Sequence, residues 1–284
     1  KRLAFDEIFT NLLIHSYNRE KIKKIKKKQK KIINYNLDFK SKIGFELTKN
    51  QKIIITEIHN DLMSEKKMFR ILQGDVGSGK TIISFITALN VIKSGYQCAL
   101  MAPTEILAKQ HFNSFKKLFG YLNFNVKILT GKTKYSEKKE IIEQIKYGKV
   151  NFIFGTHSLF QKSVKFNNLG YVIIDEQHKF GVKQRMDLSS KGGKNCDILL
   201  MSATPIPRTM MMTVYGDMDI SILREKPLDR KPVLTYSKPE KKIDEVINYV
   251  EKQINLNNQV FWVCPFIENR NNPEFTSVKK RYEL

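Results

Sequence analysis

One stretch of sequence decides the fold of this chain: Gly74-Asp75-Val76-Gly77-Ser78-Gly79-Lys80-Thr81. It fits the pattern G-x-x-x-x-G-K-[ST] at every fixed position, an apolar run ends before it at Leu72, and a helical pattern begins at Lys80. Glycines let backbone N–H groups close around phosphate oxygens, and the start of a helix adds partial positive charge. The stretch therefore predicts a phosphate-binding loop between a strand and a helix.

The two residues that close the stretch have separate expected roles. Lys80 should reach the β- and γ-phosphates of ATP, and the Thr81 hydroxyl should ligate Mg²⁺. A glycine-rich turn that binds nothing is the competing interpretation, which the strand and helix patterns on either side disfavour. Because kinases, GTPases, transporters and helicases all use such a loop, the reaction has to be inferred from the rest of the chain.

Short apolar runs alternate with amphipathic stretches from about residue 45 onward. The runs typical of strands are Phe69–Leu72, Cys98–Met101, Val126–Leu129, Phe152–Phe154, Tyr171–Ile174 and Ile198–Met201. Helical patterns lie between most of them, at Thr81–Ser94, Glu105–Leu118 and Ser136–Tyr147. This alternation predicts an α/β fold in which helices cover both faces of a parallel sheet.

The two ends of the chain depart from this pattern. Apolar residues recur at helical spacing from residue 1 to about 35, through the lysine-rich tract 21–31, and predict a solvated helix or linker, with a DNA-binding arm as the alternative. The proline-marked segment from Pro227 to Pro232 predicts a boundary, followed by a helix at Glu240–Gln253 and a strand at Gln259–Val263. The chain thus divides into a helical linker segment (1–40), a nucleotide-binding domain (41–228) and the incomplete start of a second domain (229–284).

Another apolar strand pattern leads into the acidic motif Asp175-Glu176-Gln177-His178. Asp175 is placed to hold Mg²⁺, and Glu176 to orient or deprotonate the water that attacks the γ-phosphate. An isolated Asp-Glu pair is usually a solvated turn, but the phosphate loop upstream favours a catalytic role. The tripeptide Ser202-Ala203-Thr204 closes the next strand pattern, and its hydroxyls are expected to hydrogen-bond to the acidic motif. Hydrolysis of ATP with Mg²⁺ is the expected chemistry.

Composition limits the remaining possibilities. The formal net charge of +22 over 284 residues fits a polyanionic partner such as nucleic acid, or equally the lysine-rich usage of an A·T-rich genome. The three cysteines and five histidines show no disulfide or ligand spacing, so we expect a cytoplasmic protein without a transition metal. The longest apolar runs are too short to span a membrane, and we expect no membrane association. The first residue is not Met, which suggests a fragment.

Further stretches complete an ordered set of motifs. They are Leu3–Glu7, Phe45–Gln51, Ala102–His111, Leu129–Gly131, Gly155–Leu159, Asp175–Arg185, Ser202–Thr209 and Val263–Glu268. Together with the phosphate loop, they resemble the motifs of superfamily 2 nucleic-acid helicases, and most closely those of the RecG-type branched-DNA helicases. Gln177 and the tail Pro205–Thr209 are the most specific features, because the transcription-repair coupling factor shares the tail but usually has Asp-Glu-Glu-His.

The resemblance implies a fold and a nucleotide site. The fold is the RecA-like sheet of P-loop NTPases after an N-terminal helical segment, with 41–228 as the first motor domain and 229–284 as the start of the second. Thr48 and Gln51 belong to the segment that reads adenine, and Phe45 is the stacking partner. The resemblance adds Gln177 and His178 of the acidic motif to the residues near the nucleotide.

The resemblance also implies a path for DNA. The residues it assigns to that path are Thr104, Thr130, Gly131, Thr156, His157, Arg185 and Arg208. The two arginines would couple the state of the nucleotide to DNA. Taken one at a time, the threonines are more often helix caps or turn residues, and the arginines are more often surface charges.

The expected function is that of a monomeric ATP-dependent DNA helicase or translocase that remodels forks and Holliday junctions in recombination and repair. A duplex translocase of the transcription-repair coupling type is one alternative, and an inactive, truncated ATP- or DNA-binding fragment is another. The resemblance implies that a complete second motor domain supplies arginines to the γ-phosphate and that an N-terminal wedge domain engages the DNA branch. Both are missing here, so we expect this chain alone to bind nucleotide and hydrolyse it feebly.

Overall fold

The structure is a computed structural model that describes residues 5–7, 9–10, 13, 17, 26–30, 44–176, 193–204, 218–225, 233–264, 278 and 282. The chain divides into two compact units, Lys1–Arg230 and Lys231–Leu284. Within the residues described, the helices are too short or too polar to cross a membrane.

Parallel strands of the first unit form a single seven-stranded sheet in the described part of the chain. Their bounds are β1 Phe69–Gly74, β2 Gln97–Met101, β3 Val126–Leu129, β4 Phe152–Gly155, β5 Leu169–Ile174, β6 Asp197–Ser202 and β7 Asp219–Leu223. They lie in the order β3-β4-β2-β5-β6-β1-β7. The four strands β2, β4, β5 and β6 are buried along their whole length, which explains their nearly continuous apolar sequences.

Helices connect β1 to β2, β2 to β3 and β3 to β4. Over residues 44–176 of the first unit, the α-helices are α1 Lys49–Met63, α2 Lys80–Lys93, α3 Glu105–Phe119 and α4 Tyr135–Lys146. The second unit contains α5, Ile243–Asn255, preceded by a 3₁₀ turn at Glu240–Lys242. Because every strand runs in the same direction, the segment that leaves each strand begins at one shared edge of the sheet, the carboxyl edge.

A cluster of phenylalanines fixes α2 against α3 on one face of the sheet. Phe85 of α2 meets Phe115 of α3 edge-on at 5.2 Å between ring centroids, and Phe115 meets Phe152 of β4 at 5.0 Å. All three rings are buried. Truncating such a ring to alanine typically costs about 3–5 kcal/mol of unfolding free energy. The helix that follows the phosphate loop is therefore held firmly relative to α3.

The six strands predicted from the sequence are confirmed, with bounds that differ by at most two residues at either end. The helices predicted between them and at Glu240–Gln253 are confirmed too, whereas Gln259–Val263 is not a strand in the structure. Helix α1 and strand β7 were not predicted. Strand β7 lies at the edge of the sheet beside β1, and Arg70 of β1 donates to its Ser221 Oγ at 2.7 Å. Its alternating exposure explains its weak apolar signal.

The N-terminal prediction is wrong over residues 26–30. Positions 5–7, 9–10, 13 and 17 are helical, but Lys26 forms an antiparallel bridge with Lys66, and residues 27–30 are not helical. Lys27 and Lys30 are buried, whereas Lys28 and Gln29 are exposed. The Nζ atoms of Lys27 and Lys30 are buried against the carboxylate of Asp197, with Lys27 Nζ 2.7 Å from both of its oxygens. A carboxylate buried at the start of β6 needs such partners, and the basic tract supplies them.

Candidate active site

The phosphate loop has the backbone that its glycines predict. Strand β1 ends at Gly74, and α2 begins at Lys80. Gly77 (φ 76°) and Gly79 (φ 96°) take left-handed conformations that other residues rarely adopt. A Cβ atom at Gly79 would collide with the side-chain amide of Gln51. Glycine is therefore required at Gly79 by its backbone conformation, and any side chain there would also displace the Gln51 amide.

Lys80 lies folded onto its own loop and near the predicted acidic residues. Its Nζ donates to the carbonyl oxygens of Gly74 at 2.6 Å and Asp75 at 3.0 Å. Burial lowers the pKa of Lys80, and the nearby carboxylates of Asp175, Glu176 and Asp75 oppose that shift. Lys80 follows β1 and the two acidic residues follow β5, so the three residues predicted to be catalytic lie near the same edge of the sheet. A phosphate group is a stronger partner for an ammonium than the two neutral carbonyls.

The acidic motif follows the end of β5. The backbone N–H of Asp175 donates to Met101 O at 2.9 Å, which extends the pairing with β2 and aims the carboxylate into the carboxyl edge. Asp175 Oδ2 lies 2.8 Å from His111 Nε2, and Asp175 Oδ1 accepts from the backbone N–H of Glu176 at 3.0 Å. Glu176 has a left-handed backbone (φ 48°), and strain in a non-glycine residue often marks a functional site.

His111 is a site residue that the sequence did not identify. It belongs to the stretch Ala102–His111, which was quoted for the resemblance, but no role was assigned to it. It lies on the buried face of α3, and its partner Asp175 is 64 positions away in the chain. A contact over that distance in sequence leaves no local pattern, so only the structure could reveal it.

The residues expected to read adenine line one wall of a cavity of about 1110 Å³. Phe45, Thr48 and Gln51 share this cavity with Gly79 and Thr81 of the phosphate loop. The Gln51 side chain accepts from the backbone N–H of Thr48 at 3.0 Å and donates to Ser78 O at 2.8 Å. Gln51 therefore caps α1 and ties it to the phosphate loop. A role in reading adenine stays a prediction.

The oxygen atoms at the site fit a magnesium nucleotide. Mg²⁺ prefers oxygen ligands and usually takes one or two from the protein, with the rest from phosphates and water. Thr81 and Asp175 offer a hydroxyl and a carboxylate, and no group of three or more His, Cys, Asp or Glu side chains that could hold a metal occurs among the described residues. The buried Ser78 Oγ has no hydrogen-bond partner in the described part of the loop.

The predicted DNA residues follow three neighbouring strands at the same edge. Thr104 comes after β2, Thr130 and Gly131 after β3, and Thr156 and His157 after β4. These strands lie side by side in the order β3-β4-β2. The structure therefore brings the five residues to one stretch of the carboxyl edge, next to the end of β5 where Asp175 lies.

Local contacts also support the alternative role of some of these residues. Thr104 caps α3, since its Oγ1 accepts from Leu107 N at 3.3 Å. The side chains of Thr130 and Thr156 are buried, whereas Gly131 and His157 are exposed. Contact with DNA stays a prediction for all five. Gln177, His178, Arg185 and Arg208 lie outside the described residues.

The tripeptide after β6 is bonded to the strand that leads into the phosphate loop. Gln73 Nε2 donates to Thr204 O at 3.1 Å, and the hydroxyls of Ser202 and Thr204 lie 2.9 Å apart. The segment therefore reaches the neighbourhood of the phosphates through Gln73.

Residues 48–213 match the family model of the DEAD/DEAH box helicases, and this span is more than half of the chain. The chain belongs to the DEAD/DEAH box helicase family. The match begins at the cap of α1 and includes the phosphate loop, the acidic motif and the Ser-Ala-Thr segment. The site described above therefore lies within the span that matches the helicase family.

Relatives of this helicase chain include the ATP-dependent DNA helicase RecG of several bacteria. This chain is 44% identical to RecG of Aquifex aeolicus and 42% identical to RecG of Thermotoga maritima, in both cases over 100% of this chain and 36% of the relative. RecG of Borreliella burgdorferi is 42% identical over 98% of this chain and 40% of the relative. The chain is thus similar to RecG and spans less than half of these relatives' length.

Solved structures agree with this family. RecG bound to a three-way DNA junction matches with a TM-score of 0.78 and 40% identity, over 90% of this helicase chain and 34% of that one. The Hef helicase domain of Pyrococcus furiosus matches with a TM-score of 0.51 and 17% identity, over 77% of this chain and 48% of that one. This second likeness supports the fold alone.

Proposed function

We propose that this chain is the ATP-driven motor portion of a RecG-type DNA helicase that remodels forks and Holliday junctions in recombination and repair. One observation carries the proposal: Lys80, Asp175 and Glu176 converge at the sheet edge where the predicted DNA residues follow β2, β3 and β4. The similarity to a RecG structure bound to branched DNA supports the same substrate.

Each residue of the ATP site has a role that its surroundings permit. Lys80 would exchange the carbonyls of Gly74 and Asp75 for oxygens of the β- and γ-phosphates. Thr81 and Asp175 would hold Mg²⁺, which when bound neutralises charge on the phosphates. Glu176 would orient the attacking water and accept its proton. Its left-handed backbone turns the chain directly after Asp175.

The DNA strand would lie along the ends of β2, β3 and β4. Exposed Gly131 offers a backbone for phosphate oxygens, and the side chain of Lys132 beside it, which is 86% exposed and lies 3.8 Å from Glu105 Oε2, would exchange that carboxylate for a phosphate. The formal charge of +22 supports attraction to a polyanion. We expect binding to weaken steeply as salt rises, because each neutralised phosphate releases a counterion.

The proposed organisation follows the RecG resemblance. Residues 1–40 form a linker segment with an extended part at 26–30, residues 41–228 the first motor domain, and residues 229–284 the start of the second. The division of the chain between Arg230 and Lys231 supports the second boundary. We further propose that the protein acts as a monomer in the cytoplasm. Its cysteines are free, as expected in a reducing compartment.

The test is the ATPase activity of the full-length protein with forked, duplex and single-stranded DNA. We expect the strongest stimulation by forks, and loss of that activity in Lys80→Ala. Lys139→Ala, at an exposed position of α4, is the matched control and should leave activity unchanged. Equal activity with and without DNA would contradict a DNA motor, and full activity of Lys80→Ala would contradict the phosphate-loop assignment.

A further inference from the structure

We infer that His111 is a positioning residue that couples DNA at the end of β2 and β3 to the magnesium-binding carboxylate of Asp175. The inference rests on the proposed function, since it assigns a route by which DNA stimulates the ATP site. It adds a residue for which the sequence predicted no role.

The contact between the two side chains is direct and shielded from water. His111 Nε2 lies 2.8 Å from Asp175 Oδ2, and the side chains are 8% and 12% exposed. A carboxylate can only accept hydrogen bonds, so the imidazole Nε2–H is the donor. The other oxygen, Oδ1, accepts from the backbone N–H of Glu176. Because each oxygen of the Asp175 carboxylate accepts a hydrogen bond, the carboxylate has one preferred orientation about its side-chain bond. The hydrogen bond from His111 sets that orientation.

His111 is carried by α3, and the first turn of that helix lies at the proposed DNA edge. Thr104 caps α3, and Glu105 Oε1 accepts from the backbone N–H of Lys132 at 3.0 Å in the loop after β3. His111 lies six positions after Glu105, which is about 9 Å along a helix. Helix α3 therefore contacts the proposed DNA path through its first turn and contacts Asp175, the proposed Mg²⁺ ligand, through His111.

Packing makes this helix a firm link to the phosphate loop as well. The His111 ring meets Phe85 of α2 edge-on at 6.4 Å, and Phe85 meets Phe115 of α3 at 5.2 Å. Helix α2 begins at Lys80, and His111 lines the same cavity as Thr81. Because α2 carries Thr81 and packs firmly against α3, a small joint movement of these two helices relative to β5 would change the position of Thr81 relative to Asp175, the two side chains proposed to share Mg²⁺.

A buried histidine that only satisfies a buried aspartate is the competing interpretation. The two interpretations differ in what a variant changes. A structural role affects folding and all nucleotide binding alike. A positioning role affects the part of nucleotide binding that depends on Mg²⁺, together with the response to DNA. By linkage, it must also affect the response of DNA binding to nucleotide.

The experiment measures binding of a fluorescent, non-hydrolysable ATP analogue to the full-length protein, across a Mg²⁺ titration, with and without a forked DNA oligonucleotide. His111→Leu replaces the imidazole with an apolar side chain and so removes the donor, and His111→Gln supplies an amide donor of similar reach. Asn113→Leu, at an exposed position of α3, is the control. Thermal unfolding is recorded for each variant.

We expect His111→Leu to raise the Mg²⁺ concentration for half-maximal binding by about 10-fold or more, as for other residues that orient metal ligands. The tightening of nucleotide binding by DNA should be lost, binding without Mg²⁺ should be unchanged, and His111→Gln should restore much of both effects. Unchanged Mg²⁺ dependence and DNA coupling in His111→Leu would overturn the inference. Equal weakening of binding with and without Mg²⁺ would overturn it in favour of a structural role. A wild-type protein whose nucleotide binding ignores DNA would instead contradict the proposed function itself.

Discussion

Asp197 and Asp175 lie on neighbouring strands but at opposite edges of the sheet, and both carboxylates are largely buried. Asp197 opens β6 at the amino edge, where the ammonium groups of Lys27 and Lys30 both contact it. Two cations around one anion leave no negative charge for a further ligand. This carboxylate serves the fold, because it fastens the N-terminal tract to the start of the strand.

Asp175 has different partners at the carboxyl edge. An imidazole and a backbone N–H hold its two oxygens, and the ammonium of Lys80 nearby donates to loop carbonyls. Hydrogen bonds orient the Asp175 carboxylate, and its negative charge remains available to a metal ion. Burial alone therefore does not distinguish a structural carboxylate from a catalytic one in this sheet. The kind of partner does.

The largest expected effect is on catalysis at the carboxyl edge, where Glu176 follows Asp175. Glu176→Gln should lower the DNA-stimulated turnover number by about 10²–10⁴-fold, because an amide cannot accept the proton of the attacking water. Nucleotide affinity and the free energy of unfolding should change little. Steady-state ATPase assays and urea unfolding of the same preparation measure these quantities. A Glu176→Gln protein with near-normal turnover would remove the proposed base.

The next effect tests the structural side. Asp197→Asn should cost about 3–5 kcal/mol of unfolding free energy, because two buried lysines lose their counter-charge. Asp175→Asn is the paired variant, and it should cost much less stability while abolishing Mg²⁺-dependent nucleotide binding. Adding Lys30→Met to Asp197→Asn should recover part of the lost stability. If the two Asn variants had the same stability, the contrast between the edges would fail.

A smaller effect concerns pH and the pairing of α1 with α2. His59 of α1 lies 2.7 Å from the Asn90 amide of α2, and burial lowers the pKa of His59 to about 4 from an ordinary 6.5. Between these values the unfolded chain binds more protons than the folded chain, so stability falls as pH drops from about 6.5 to about 4. The loss should be at most about 3 kcal/mol.

His59→Gln isolates this contribution, because glutamine can still accept from Asn90 but does not titrate. Urea unfolding at a series of pH values should give a shallower loss of stability for the variant than for the wild type. Parallel curves for the two proteins would show that His59 is not the responsible group.

The smallest effect concerns the first turn of α3. Thr104→Ala should destabilise the chain by about 1 kcal/mol through loss of the helix cap. Thr104→Ser keeps a capping hydroxyl and serves as the control. If Thr104 also contacts DNA, the alanine variant should lose more DNA affinity than its loss of stability explains. Equal DNA affinity in wild type and variant would restrict Thr104 to its role as a cap.

The fold was largely predictable because its central strands are buried on both faces and its phosphate loop has a strict pattern. Val172, Ile173 and Ile174 form an apolar run that a parallel sheet requires. Strand β7 at the sheet edge alternates in exposure, so Ser221 and exposed Ile222 interrupt its signal. Strands and helices that are only partly buried therefore have a weaker apolar pattern in the sequence.

Pairings over long distances in sequence were not predictable. A lysine-rich tract is usually solvated, and only the position of Asp197, 170 residues beyond Lys27, reverses that expectation. His111 is similar, since its partner Asp175 lies on another element. In contrast, the convergence of Lys80 with the acidic motif followed from topology, because parallel strands end at the same edge.

The collision expected at Gly79 has a consequence for how this gene can change. Every single-base missense change in a glycine codon installs a residue with a Cβ atom, which here would strike the Gln51 amide and strain the backbone at φ 96°. A shorter side chain at position 51 would make room for a Cβ atom at Gly79. It would also lose the hydrogen bond that caps α1 and the hydrogen bond to Ser78 O. Substitutions at Gly79 and at Gln51 are therefore both unfavourable, and a saturation library should recover almost no functional alleles at Gly79.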